Sequence, residues 1–245
     1  MAGENIEHTA ENRRADRIRL LWPWWLVLIS WGVILYINIA GLHSPLDHDY
    51  LLSASHLPWW LAFFFFFLSW PLMVMAMMLP STLPVMALSG LRPARFSQLA
   101  YILAYLATWQ IFSVGAFVGD TLLHQLVKRW LWLALHPWYI AAALLLLAGA
   151  FQFSPLKKTC LARCSSNSTT GHAWRSGWRY GWSCVASCWM LMLLMFASGG
   201  SVLLIMAALT LVALLEKSTT DIVWIRPLIG TTLLLLGLLR LLAFW

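Results

Sequence analysis

The sequence predicts an all-α fold, a polytopic bundle of about seven transmembrane helices with the N-terminus inside and the C-terminus outside. Three observations predict it. Hydrophobic residues make up 61% of the 245 and charged residues only 10%, against roughly 25% charged in a soluble domain. Seven segments meet or approach the ~20 apolar residues that a helix needs to cross a bilayer core about 30 Å thick. The basic residues fall on one side of those segments, as they do where cytoplasmic loops gather Lys and Arg. A water-soluble globule and a disordered chain are excluded, and four cysteines are too few for a disulfide-stapled scaffold.

The first 19 residues form a basic, cytoplasmic N-terminal segment holding Arg13, Arg14, Arg17 and Arg19. The apolar run behind it, Leu20 to Ala40, exceeds the ~7–15 residues of a signal-peptide core, so it reads as a retained first helix. The further spans are Pro58 to Leu79, Ser97 to Gly119, Trp130 to Phe153, Gly177 to Ser198, Ser201 to Leu215 and Ile222 to Trp245. The fifth and sixth are parted only by Ser198-Gly199-Gly200-Ser201. Backbone left unpaired by two glycines needs water, so a tight hairpin at the membrane surface is expected there. With the N-terminus inside, thirteen of the sixteen Lys and Arg are cytoplasmic; Lys128, Arg129 and Arg240 are the other three. The net charge of +7 is thereby accounted for by topology, and no nucleic acid partner is needed. Tryptophans cluster near span ends, at Trp22, Trp24, Trp25, Trp59, Trp60, Trp130, Trp132, Trp138 and Trp245, where the ring can be apolar and its N–H wet. Phe63 to Phe67 reads as lipid-facing or packing bulk.

The four cysteines form two i, i+4 pairs, Cys160 with Cys164 and Cys184 with Cys188. On a helix each pair shares a face. At 100° per residue Cys184, Cys188, Met192 and Met195 fall in an ~80° stripe on the fifth span. The first pair lies in the cytoplasmic loop 154–176 and follows Ser154-Pro155, an N-cap and a proline at the first helical position. A helix from Pro155 is expected to put Leu156, Cys160 and Cys164 on one side, with Lys157 and Lys158 towards headgroups. The second span adds Met73, Met75, Met77 and Met78 before Pro80. The topology, assigned from Lys and Arg alone, brings these soft donors to the same cytoplasmic end. Thiolate and thioether select Cu(I); thiolate also suits zinc, for which methionine is a poor ligand, so copper is preferred.

Other polar residues carry less. His43, Asp47, His48, Asp49 and His56 share an outer loop, read as solvated, with an outer capture site for Cu(II) or zinc as the alternative. Asp120 and His124, i, i+4, read as a hydrogen-bonded pair. Asn38, Gln110 and Gln152 are expected to make interhelical contacts, and Arg226 to snorkel. Glu216 either neutralises a lysine or assists a cation.

The segments Trp70-to-Pro80 (WPLMVMAMMLP), Gly149-to-Cys164 (GAFQFSPLKKTCLARC), Gly181-to-Met192 (GWSCVASCWMLM) and Glu216-Lys217 resemble the signatures of the bacterial predicted metal-binding integral membrane proteins, the DUF2182 family. Members of that family are sometimes labelled copper chaperones. The resemblance implies a helical protein of the bacterial inner membrane with a metal site at Met73, Met77, Met78, Cys160, Cys164, Cys184 and Cys188. Two features depart from the family pattern: Ser187-Cys188-Trp189 stands in place of a Cys-Cys-Trp step, and a Met-Asn pair is missing around Gly199 to Leu203.

Residues and resemblance together predict a Cu(I)-handling membrane protein with Met192 added to those ligands. It would work in the lipid bilayer with a copper-receiving protein or another membrane subunit as partner. A membrane thiol oxidoreductase is the alternative, although helical i, i+4 cysteines sit ~6 Å or more apart at Cα, near the limit for a disulfide. A scaffold subunit without chemistry is the third reading. With no carboxylate pair, Ser/His/Asp set or phosphate loop, hydrolase and NTPase readings fail. With almost no ionisable residue deep in a span, so does a proton-driven transporter.

Overall fold

The computed structural model describes residues 22–41, 58–88, 95–165, 172–195, 202–218 and 224–243. Among these residues the chain is helical, without strands. The helices are α1 (Trp22–Ile39), α2 (Trp59–Met77), α3 (Leu79–Leu88), α4 (Arg95–Arg129) and α5 (Leu131–Leu135), then α6 (Trp138–Gln152), α7 (Pro155–Ser165), α8 (Ala173–Leu194), α9 (Val202–Ser218) and α10 (Ile225–Ala243).

Every one of the seven expected segments contains a helix, but the apolar lengths differ. α1, α2, α4 and α10 are long and apolar enough to cross a membrane, and α6 with α7, bent by 66° at their junction, would make a fifth. α9 is 17 residues long. α8 has the length, at 22 residues, but Arg175, Arg179 and the serines 176, 183 and 187 dilute its apolar character. α4 overshoots its expected segment: 35 residues at 1.5 Å each reach roughly 52 Å. Large apolar side chains such as Ile39, Leu204, Leu239 and Leu242 point outwards, as do Trp24, Trp25, Trp59, Trp60, Trp130 and Trp132. Trp245, the Ser198–Ser201 hairpin and the loop holding His43, His48 and His56 lie outside the described residues.

Two helix pairs organise the packing: α4 lies along α8, and α6 along α10, while α8 also touches α6, α7 and α9. Small residues allow the first approach. A Cβ at Gly177 would stand 2.9 Å from the Tyr101 Cα, and one at Gly181 3.1 Å from the Thr108 Cβ. These two glycines form a G-x-x-x-G step, which lets helix backbones meet closely.

The prolines explain how α1, α2 and α4 are joined. A proline inside a helix leaves the carbonyl four residues back without its N–H partner. Pro71 frees the Phe67 carbonyl, and the Gln110 amide of α4 donates to it. Pro80 frees the Ala76 carbonyl, and the Trp31 indole of α1 donates to it at 3.0 Å. The helix is interrupted at Met78, whose carbonyl accepts from Ser81 and Thr82, each at 2.8 Å. Further along, Trp22 of α1 donates to the Gln98 side chain of α4. The aromatic run is divided: Phe66 packs against Trp70 and Phe117, while Phe64, Phe65 and Phe67 are exposed.

Candidate functional site

The sulfur stripe on α8 faces inwards along its whole length. Cys184, Cys188 and Met192 are fully buried, and Met195 is nearly so. The hundred-degree periodicity assigned them one face, and α4, α7, α6 and α9 cover it. Ser187, between the two cysteines, donates to the Cys184 carbonyl at 3.0 Å and lies 3.5 Å from the Cys188 sulfur.

Two other elements supply polar groups to Cys184. The Tyr105 hydroxyl of α4 lies 3.2 Å from its Sγ. The Lys217 ammonium, at the last turn of α9, donates to the same sulfur at 3.0 Å and to the Ser81 hydroxyl of α3 at 3.0 Å. It also sits 5.5 Å from the centre of the Tyr180 ring, a cation–π position. Lys217 is partly buried, yet both acceptors at its tip belong to buried residues.

The first cysteine pair is brought to the same region. Ser154 accepts the Leu156 N–H at 3.2 Å, so the expected cap starts α7 at Pro155. Cys160 and Cys164 are buried, and Cys164 has Cys160, Cys188, Ser187 and Lys217 as electrostatic neighbours. The helix is rotated from its expected phase, however. Lys157 is fully buried and Leu156 is exposed, whereas Lys158 faces outwards as anticipated. The reason is a partner. Glu216 of α9 meets the Lys157 ammonium at 2.9 Å and 2.8 Å through its two oxygens, and both side chains are inaccessible. Lys157, Cys160, Leu161 and Cys164 therefore share one inward stripe. Of the two roles open to Glu216, it takes the neutralisation of a lysine.

The methionines of the second segment are also internal: Met73, Met77 and Met78 are buried in the same core as Cys164, Cys184, Cys188 and Met192. Among the described residues, no three His, Cys, Asp or Glu side chains are gathered closely enough to hold a metal ion by themselves. All four cysteines are free thiols. Elsewhere, His124 and Asp120 pair as expected, with 3.5 Å between ring nitrogen and carboxylate, and Gln110 makes its interhelical contact. Gln152 packs against Gly230 of α10, but neither its oxygen nor its nitrogen has a hydrogen-bond partner among the described residues.

Lys217, Ser81, Tyr105 and Tyr180 were not identified as site residues from the sequence. Lys217 is 33 positions from Cys184 and 136 from Ser81, so no local pattern connects them. The usable signal was narrower: a lysine at the end of an apolar helix, expected at the same membrane face as the thiols.

Helices apolar enough for a membrane, with four reduced thiols and several thioethers enclosed among them, define a class of helical protein suited to soft metal ions. The family model described as copper chaperone (PpoB2) matches residues 67–240, which include all four cysteines and the methionines at 73, 77, 78 and 192. The chain belongs to that copper chaperone family. No curated protein and no solved structure matches it.

Proposed function

We propose that this chain is an integral membrane protein that binds Cu(I) through cysteine and methionine sulfur and hands it to a partner. It would cross a bacterial inner membrane seven times, N-in and C-out, with the sulfur site at the cytoplasmic end. The ligands are drawn from Cys160, Cys164, Cys184, Cys188, Met73, Met77, Met78 and Met192. Copper is cargo here, and its recipient is a copper-requiring protein or another membrane subunit.

One observation carries the reading. Cys184 and Cys188 occupy one face of α8 and are fully buried, in the same core as Cys164 and Met192. Thiols pointed outwards would have no means of gripping an ion together. A pair of thiolates with thioethers in reach suits a soft ion such as Cu(I). Structural zinc favours four ligands in a tetrahedron, and the gathering of cysteines here is sparser than that. The outward-facing leucines and tryptophans support membrane insertion, because such a surface in water would be an aggregation site.

The test is copper content of the full chain, purified in detergent under reducing conditions and supplied with Cu(I). The wild type is expected to retain copper, and Cys184→Ser with Cys188→Ser to lose most of it. Equal and negligible copper in both would end the proposal.

A further inference from the structure

We infer that Lys217 sets the charge of the ion that the thiol pair accepts, favouring a monovalent soft cation over a divalent one. This rests on the copper reading above and adds to it a selectivity that ligand softness alone does not provide, since thiolates also bind zinc.

Lys157 and Glu216 cancel each other across a closed ion pair. Among the described residues, Lys217 has no carboxylate in contact: its ammonium donates to the Cys184 sulfur and the Ser81 hydroxyl, and stands over the Tyr180 ring. One positive charge is thus left facing the cysteines. When an ion is bound by Cys184 and Cys188, the two thiol protons leave to solvent and two S–metal bonds form, without any change of oxidation state. A monovalent ion with two thiolates carries a net charge of −1, and Lys217 brings the total to zero. A divalent ion with two thiolates is already neutral, and Lys217 then leaves +1 in a poorly polarisable interior, where an unpaired charge is costly.

The test uses the full chain in detergent under reducing conditions, with silver(I) as a redox-inert monovalent probe and zinc(II) as the divalent one, supplied together. Bound metal is read by elemental analysis. Lys217→Gln keeps a donor for Cys184 and Ser81 but removes the charge. It is expected to move the silver-to-zinc ratio towards zinc by about tenfold or more, a modest effect for one unit charge at close range. Lys217→Arg, which keeps the charge, is expected to restore the ratio to near the wild-type value. A Lys217→Gln ratio within about twofold of wild type overturns the inference, and so does a wild type that takes zinc as readily as silver, a comparison that needs no variant to fold. A wild type that binds neither ion ends the underlying metal reading, a distinct result from metal bound without regard to Lys217.

Discussion

The Lys157–Glu216 pair makes the sharpest test of how the site is built. Both side chains are inaccessible, with nitrogen–oxygen separations of 2.8 and 2.9 Å. Removing one member leaves the other charge buried and unpaired, which costs about 3–5 kcal/mol. In a chain of this size, 1 kcal/mol moves the unfolding midpoint by roughly 2–4 °C. Glu216→Gln and Lys157→Met are therefore each expected to lower the Tm of the metal-free protein in detergent by about 6–20 °C. The double change Lys157→Met with Glu216→Leu removes both charges, and a buried pair replaced by apolar side chains is often neutral or stabilising. Its Tm is expected near or above the wild-type value. Lys158→Met is the control, since Lys158 is exposed and surface changes stay within ~0.5 kcal/mol. The readout is loss of the folded peak in size-exclusion chromatography after heating. Single variants no worse than Lys158→Met, or a double variant showing the sum of the two losses, would refute the reasoning. Because the pair fastens α7 to α9, copper retention should fall in Glu216→Gln and return in the double variant.

Three further outcomes follow from the geometry. Trp31→Phe leaves the Ala76 carbonyl without its donor, a loss of about 1–3 kcal/mol, and the loss should shrink in a Pro80→Ala background, where the substitution restores a backbone N–H that can bond that carbonyl; equal losses in both backgrounds would refute the assignment. Gly177→Leu forces α8 from the Tyr101 backbone and, as overpacking, should cost at least ~1–3 kcal/mol; copper content and Tm should both drop, whereas Gly119→Ala, at a position with open space, should lower neither. Cys164→Ser is expected to reduce retained copper less than Cys184→Ser does, because Cys184 has the Lys217 and Tyr105 contacts; elemental analysis of the two variants decides it, and the reverse order would displace Cys184 from the centre of the site.

What could be read in the sequence was what depends on neighbours along the chain. Each of the seven apolar runs contains a helix, although α3 lies beyond them; the 3.6-residue period puts Cys184, Cys188 and Met192 on one buried face, and Ser154-Pro155 marks the start of α7. The phase of α7 was misjudged for a definable reason. A lysine was assumed to face outwards, although positions 157, 160, 161 and 164 form an i, i+3, i+4, i+7 stripe that already joined Lys157 to both cysteines. Glu216, the partner that turns this stripe inwards, is 59 positions away. Gln110 was assigned to an interhelical contact, but its acceptor became apparent only with the fold, even though Pro71 had made the Phe67 carbonyl available. Gln152 packs against α10 instead of hydrogen-bonding among the described residues. The apolar pattern closes a span at Pro80, whereas the chain continues as α3 past the break at Met78 and carries Ser81 to Lys217.

The placement of Ser81 bears on the copper reading. α2 packs against α3, α4 and α9, and α8 against α4, α6, α7 and α9, so the methionines at 73, 77 and 78 and the thiols at 184 and 188 belong to two halves that share α4 and α9. Lys217 stands at the meeting point: its one ammonium bonds Ser81, three residues beyond Met78, and Cys184. On the copper reading, a cation passing between thioether and thiolate would meet that positive charge. Such a passage is easier when the arriving ion becomes part of an anionic dithiolate complex than when it brings a second positive charge. Lys217 bridges the two halves through Ser81 and Cys184, and on the copper reading it would also set the charge condition for the ion, so removing its charge should alter selectivity even where the sulfur atoms are untouched.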